Sequence, residues 1–304
     1  MGKTPPIPKM ETALQQGFNA LSVASILLLV GLGLAITFGL MRVINMAHGE
    51  FIMAGAYMTF LCGQIFKTNP NLAFIVAIPV AFAVTAALGW LLETTVISRL
   101  YGRPLDTLLA TWGISLILQQ AARSLFGAQN VDVTSPTWLE GQWTLGPVTM
   151  PYLRLFIIAL SIVCVIGTAL FLYKTAWGRR IQAVMQNREM ASCLGISTRK
   201  VDAIAFSLGS GLAGIAGCAV ALLGSIGSST GTNYIVDAFM TVVLGGVGTV
   251  MGTVAGAIGI GALGTGWETV TNASLGKVLA FLCVIAFLQW KPAGIIAAKS
   301  RALD

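Results

Sequence analysis

A cluster of polar side chains interrupts a long apolar stretch in the sequence MRVINMAHGE, which ends at Glu50. Asn45 and His48 are three residues apart and would share one face of a helix. Glu50 and Tyr57 are seven apart and would share another face. Because polar groups inside a membrane are costly, we predict that these four line a pathway or a gate for a polar solute. The alternative is that Arg42 and Glu50 lie at the membrane interface while Asn45 and His48 cap or bridge helices.

A second acid, Asp237, precedes a glycine-rich run in the sequence DAFMTVVLGGVG. Two interpretations remain open: the acid positions a broken helix at a pore, or it caps the N-terminus of a helix. The glycines Gly245, Gly246, Gly248 and Gly252 likewise indicate either two separate helices or one broken, re-entrant segment within 234–267. Glu93 is placed to form an interfacial salt bridge with Arg99 or Arg103.

Enzymatic chemistry is not indicated by these residue types and spacings. His48 is the only histidine, and no serine, cysteine or carboxylate has a recognisable base beside it in the sequence. The five cysteines have no paired spacing, and the chain contains no G-x-x-x-x-G-K-[ST] loop for ATP. We therefore expect no catalytic site, no cofactor and no metal site. If the chain performs active transport, the energy must come from a partner or from an ion gradient.

Two stretches match G-x-G-x-x-G, at 209–214 and 259–264, but neither follows a strand in a βαβ unit. Small residues at four-residue spacing instead allow membrane helices to pack closely. The predicted packing ridges are Ser210, Gly214 and Cys218, and Gly248, Gly252 and Gly256.

The elements that would position these groups follow from the composition of the chain. Hydrophobic residues make up 56% of the 304 residues, charged residues only 10%, and the mean hydropathy is +0.84. Soluble proteins carry about 25% charged residues. The sequence therefore predicts an all-α, polytopic integral membrane protein with about eight or nine glycine-packed transmembrane helices. The nine apolar runs are 18–40, 47–66, 72–97, 108–126, 152–173, 201–223, 234–250, 252–267 and 277–290.

The net charge of +7 is explained by topology rather than by a nucleic-acid partner. If the basic loop 174–200 is cytoplasmic, alternation of the spans places twelve of the 18 Lys and Arg residues inside. This predicts a polar N-terminal segment, 1–17, outside, a permease domain over 18–290, an outer loop at 128–150 and a cytoplasmic tail at 291–304.

The loop 174–200 also carries an amphipathic pattern. Ile181, Val184 and Met185 recur at helical spacing in a stretch without proline, and Gly195 is a natural helix stop. The pattern predicts one helix from Trp177 to Leu194, which either lies on the lipid surface or docks into a groove of a partner protein.

Four stretches resemble a known family: GLGLAITFGLMRVINMAHGEFIMAGAY, FGAQNVDVTSPTWL, AVMQNREMASCLGISTRKVDAIAFSLGSGLAGIAG and NYIVDAFMTVVLGGVGTVMGT. Their order and spacing are similar to those of permease subunits of the branched-chain amino acid type of ABC importer. The outer loop VDVTSP, 131–136, resembles most the members that import urea. The segment 225–232, SIGSSTGT, departs from relatives that have a proline and an acid there, which bears on contact with a binding protein.

The resemblance implies an inner-membrane permease that works by alternating access. It implies a second homologous permease, two cytoplasmic ATPases and a periplasmic substrate-binding protein as partners. The solute would be urea or a short amide; branched-chain amino acids are the alternative, and an ATP-independent urea channel is a second alternative. The resemblance places a coupling helix for the ATPases at Gln186, Arg188, Glu189, Met190, Leu194, Gly195 and Ile196.

Overall fold

The helices of this protein follow the apolar runs of its sequence closely. The computed structural model describes residues 9–41, 45–145 and 148–296. Over these residues it contains eleven α-helices and one antiparallel hairpin. The helices are α1 Lys9–Met41, α2 His48–Ile65, α3 Pro70–Thr95, α4 Pro104–Phe126, α5 Tyr152–Lys174, α6 Ala176–Gln186, α7 Arg188–Cys193, α8 Thr198–Ala221, α9 Thr230–Gly245, α10 Val250–Glu268 and α11 Ala273–Trp290, and the strands are β1 Gln142–Leu145 and β2 Val148–Pro151.

Each of the nine predicted apolar runs corresponds to a helix, which confirms the all-α membrane class. Six helical segments are long and apolar enough to cross a bilayer: Ala13–Gly39, Pro70–Arg99, Tyr152–Lys174, Thr198–Ala221, Val250–Glu268 and Ala273–Trp290. The remaining three are α2, α4 and α9. At 1.5 Å per residue, the 16 residues of α9 reach only about 24 Å, less than the roughly 30 Å of a hydrocarbon core.

The predicted break between the seventh and eighth runs is a turn between two separate helices. α9 ends at Gly245, and Gly246 and Gly248 have φ angles of 108° and 83°, which L-residues rarely adopt. Thr249 then caps α10, since its Oγ1 accepts a hydrogen bond from the N–H of Gly252 at 3.1 Å.

The predicted N-terminal segment and C-terminal tail lie partly outside the described residues. α1 begins at Lys9, within the segment 1–17 that was predicted to be polar. Residues 1–8, Arg42 and the tail from 297 to 304 lie outside the part of the chain that the structure describes.

The helix bundle has two ends, which we name the α6–α7 end and the hairpin end after the elements found there. At the α6–α7 end, Gly39 of α1 lies against Met185 and Gly248, and the N–H of Ile295 donates to the carbonyl of Leu244 at 2.8 Å. At the hairpin end, Gln15 of α1 contacts Thr149 of β2.

α8 is the central helix, packed between α1, α2 and α3, and small residues permit the close contacts. A Cβ on Gly209 would collide with the carbonyl of Gly33, and one on Gly214 with Thr85 and Ala81. The predicted ridge of Ser210, Gly214 and Cys218 thus lies along α3, where Cys218 Sγ is 3.8 Å from the Ala77 carbonyl.

The second predicted ridge packs differently. Gly252 and Gly256 lie on α10 against Gly245 and Thr241 of α9. Gly248, which was grouped with them, lies in the turn before α10 and contacts Gly39 of α1 instead. A single helical ridge through all three glycines is therefore not formed, because the left-handed backbone at Gly248 ends the helical register.

Candidate functional site

The polar junction before α2 is built around a turn. α2 begins at His48, so Asn45 precedes the helix, and the two do not share a helical face as predicted. Asn45 Oδ1 accepts a hydrogen bond from the N–H of Ala47 at 3.0 Å, and its carbonyl accepts from the N–H of His48 at 3.3 Å. Asn45 therefore turns the backbone into α2.

His48 connects two helices in the interior. Its side chain is fully buried, and Nε2 lies 3.1 Å from the carbonyl oxygen of Val30 in α1. Nδ1 has no hydrogen-bond partner among the described residues. His48 therefore bridges α1 and α2, whereas the Asn45 side chain forms a turn before α2 and does not cap the helix.

Glu50 is the centre of a group of polar side chains from three elements. The residue is 1% exposed, and its Oε1 accepts hydrogen bonds from Ser115 Oγ at 2.8 Å and from Gln119 Nε2 at 2.9 Å. Gln119 Nε2 also lies 3.2 Å from Thr232 Oγ1 at the start of α9. Glu50 Oε2 is buried without a hydrogen-bond partner in the described ranges. Since buried polar atoms are normally paired, this oxygen is an open acceptor for an N–H group.

The partners of Glu50 belong to a polar stripe on α4. A polar side chain recurs every four residues and so follows one face of the helix. Thr107, Thr111 and Ser115 are buried, Gln119 is half-buried and Arg123 is exposed. The stripe therefore opens toward the hairpin end.

Two other residues of this stripe, Thr111 and Arg123, also bind other parts of the protein through hydrogen bonds. Thr111 Oγ1 accepts from the N–H of Met46 at 3.2 Å. Arg123 Nε donates to Ser228 Oγ at 2.8 Å. The opposite face of α4 is apolar and exposed, as expected for a side that meets lipid or another membrane subunit; it carries Leu105, Leu109, Trp112, Leu116 and Ile117.

The sequence reasoning missed Ser115, Gln119 and Thr232. The four-residue periodicity of polar residues on α4 is the signal that could have found the first two. Thr232 carries no such signal, because only the packing of α9 against α2 and α4 brings it to Gln119.

Tyr57 and Asp237 lie apart from the group around Glu50. The Tyr57 ring stacks on Phe126, with 4.3 Å between ring centroids, and its hydroxyl is buried without a partner among the described residues. Asp237 is inside α9 rather than at its start, so of the two interpretations left open for this acid, the N-terminal cap is wrong. Its Oδ2 lies 2.8 Å from Nζ of Lys277, which joins α9 to α11.

The predicted amphipathic helix at 177–194 is two helices, because the helical backbone is interrupted at Asn187. The Asn187 side chain accepts a hydrogen bond from the N–H of Met190 at 2.9 Å and caps the short helix α7. α7 ends before Gly195, which has a φ of 80°. The residues predicted for coupling then divide by exposure: Arg188 and Ile196 are half-buried, and Gln186, Glu189, Met190, Leu194 and Gly195 are exposed.

Arg188 turns toward the helices instead of the surrounding solvent. Its guanidinium binds both carboxylate oxygens of Asp202 and lies 4.6 Å above the ring of Tyr101. The Tyr101 hydroxyl donates to Glu93 Oε1 at 3.3 Å. Burial, reinforced by the charges of Asp202 and Glu93, raises the pKa of Tyr101, which keeps this hydroxyl protonated. Arg103 pairs with Asp106 instead of Glu93.

Six segments that are long and apolar enough to cross a bilayer, with the buried Glu50 and a polar stripe beside it, are typical of a multi-pass membrane protein that holds a polar group inside an apolar core. Comparison with known proteins gives the particular family. Residues 17–288 match the family described as "Branched-chain amino acid transport system / permease component". The chain belongs to this family of permeases, and it is a multi-pass protein of the inner membrane.

Three relatives match over nearly their whole length. The permease protein BraD of a high-affinity branched-chain amino acid transport system in Pseudomonas aeruginosa is 28% identical, covering 95% of this chain and 97% of the relative. LivH of Escherichia coli is 27% identical over 93% of this chain and 95% of its own. A probable LivH of Methanocaldococcus jannaschii is 28% identical over 94% of this chain and 93% of the relative. No solved structure matches the chain.

Proposed function

We propose that this chain is one of two permease subunits of an ABC importer, and that it moves a small polar solute through the membrane by alternating access. The observation that carries the proposal is the unpartnered oxygen of Glu50, which lies beside the middle of the polar stripe on α4. A buried carboxylate is costly to maintain, and a row of hydrogen-bonding groups leading to it supports a solute path. The chain would act as a transport subunit and not as an enzyme.

The distribution of basic residues supports an orientation with the α6–α7 end in the cytoplasm. The described connections at that end, counted with the adjoining helix ends and with α6 and α7, carry nine Lys and Arg residues, whereas the connections and helix ends at the hairpin end carry five. Cytoplasmic loops are enriched in these residues. The N-terminus then lies outside and the C-terminus inside, and the stripe on α4 opens toward the outside.

The exposed face of α7 would dock on an ATPase subunit. Met190 is 59% exposed and Leu194 75% exposed, although both are apolar. They are four residues apart and point from one side of the α7 turn, so they fit an apolar groove in a partner. A second permease on the apolar side of α4 and a binding protein at the hairpin end complete the assembly.

Branched-chain amino acids are the substrate class that the relatives support best, since the relatives are named for transport of these solutes. The chemistry around Glu50 suits a zwitterion. Glu50 Oε2 would accept from the ammonium group, and the terminal nitrogens of Arg123, whose Nε binds Ser228, would supply donors for a carboxylate.

Urea is the second candidate, and the outer loop supports it. The stretch FGAQNVDVTSPTWL resembles the urea-importing members, and Val131 within it pairs with Ile226 through two backbone hydrogen bonds of 2.8 Å. This pairing holds the loop beside the segment that precedes α9. A neutral solute with N–H donors would also bind the open oxygen of Glu50.

Uptake of labelled leucine and labelled urea at micromolar concentration tests the proposal. Cells with and without this chain are compared before and after ATP depletion. Leucine uptake that needs both the chain and ATP is the expected result. Urea uptake with the same requirements would select the second candidate. Entry of urea that survives ATP depletion would contradict the ABC assignment and favour a channel.

A further inference from the structure

The contact between α7 and α8 includes an ion pair. Arg188 is the first residue of α7, and its two terminal nitrogens bind the two carboxylate oxygens of Asp202. The Asp202 side chain is fully buried, whereas that of Arg188 is 38% exposed. A buried carboxylate without its partner is strongly unfavourable, so α7 is held at this point of α8.

Two further side chains extend this contact to α3. Tyr101, in the connection between α3 and α4, stacks under the Arg188 guanidinium. Its hydroxyl binds Glu93, which is 1% exposed near the end of α3. We name these four side chains, Arg188, Asp202, Tyr101 and Glu93, the Arg188 joint. It links α7 with α8 and α3 through directional contacts.

The geometry of the joint suits transmission of movement. A planar guanidinium that binds two oxygens at once and stacks on a ring has one favourable orientation, so α7 cannot slide over α8 without breaking these contacts. Within α7, Ala191 is the one buried residue of the described helix, so little apolar packing holds it. α8 in turn packs on α2, where Gly55 lies against Gly214, and α2 carries Glu50.

We infer that Arg188 is a positioning residue, which makes α8 and α3 move with α7 as one unit when the ATPases displace α7. This inference rests on the proposed function and deepens it. The coupling surface then has two sides: Met190 and Leu194 face the ATPase, and Arg188 faces the membrane helices.

The test uses the complete complex of permeases, ATPases and binding protein in proteoliposomes, with ATP hydrolysis and solute uptake measured together. Arg188→Lys keeps the positive charge but removes the planar, two-pronged contact and the stacking. We expect uptake to fall about tenfold more than ATP hydrolysis does, which is the scale of a typical coupling free energy. Tyr101→Phe keeps the ring and removes the bond to Glu93, and should give a smaller loss.

Arg180→Gln is the matched control, because Arg180 stacks on Trp177 at 4.7 Å in the same loop and has no carboxylate partner among the described residues. It should leave uptake per ATP unchanged. Wild-type uptake per ATP in the Arg188→Lys complex would overturn the inference. If Arg188→Lys reduced assembly and basal hydrolysis as much as it reduced uptake, the inference would also be overturned, in favour of a purely structural role. Failure of the wild-type complex to transport would instead overturn the proposed function.

Discussion

Replacement of Glu50 by glutamine distinguishes the two substrate candidates. Glutamine has nearly the same shape, and its amide oxygen can still accept from Ser115 and Gln119, which bind Glu50 at 2.8 and 2.9 Å. The atom at the unpartnered Oε2 position becomes an N–H₂ donor. The substitution therefore removes the open acceptor and the negative charge while it preserves the local packing.

The expected loss depends on the charge of the solute. A hydrogen bond to a charged group contributes about 1.5–3 kcal/mol and a neutral one about 0.5–1.5 kcal/mol. At about 1.4 kcal/mol per factor of ten, Glu50→Gln should lower uptake of a solute with an ammonium group about 10- to 150-fold, and uptake of urea about 2- to 12-fold. Stability should not fall, because a buried charge is removed.

Initial uptake rates at solute concentrations well below saturation measure this effect, with the amount of assembled complex determined in the same membranes. Glu268→Gln is the control, since Glu268 is an exposed glutamate at the end of α10 and should not affect uptake. Unchanged uptake of both solutes by Glu50→Gln would refute the placement of Glu50 on the solute path. If uptake fell only because less complex assembled, the expectation that Glu50→Gln does not lower stability would be refuted.

Three further substitutions test the packing and the partner contacts. Gly214→Val should destabilise the protein by about 1–3 kcal/mol, because its Cβ would collide with Thr85 and Ala81; thermal unfolding in detergent measures this. Met190→Glu should prevent ATPase assembly, measured by co-purification, because it buries a charge in the proposed groove. Lys277→Ala should lower stability by about 1–3 kcal/mol by leaving Asp237 unpaired, again measured by thermal unfolding.

Each of these has a matched comparison. Gly63→Val on α2 meets open space and should leave the unfolding temperature unchanged; an equal drop would argue against a specific contact at Gly214. Met190→Leu keeps the apolar surface and should retain the ATPase, and retention by Met190→Glu would rule out docking at this residue. Lys277→Arg keeps the charge and should retain stability. Equal unfolding temperatures for Lys277→Ala and Lys277→Arg would exclude a stabilising ion pair with Asp237.

Much of the architecture is already encoded locally. Apolar runs of membrane length predict the nine helices, since lipid leaves no partner for an unpaired backbone group. The glycines at 245–248 predict the break before α10, because only glycine readily adopts the positive φ angles found there. The family motifs lie in these helices and in the connections between them, so the class of protein also follows from the sequence.

The contacts between polar side chains are decided by the tertiary structure. Periodicity shows which face of a helix is polar, but not which other helix it meets. Ser115 and Gln119 reach Glu50 only because α4 packs beside α2, and Arg188 reaches Asp202 only because the chain turns at Asn187. Such pairs are distant in sequence, and their meeting depends on helix packing that no local pattern specifies. The candidate solute path and the Arg188 joint are therefore properties of the fold, whereas the helices that carry them are properties of the sequence.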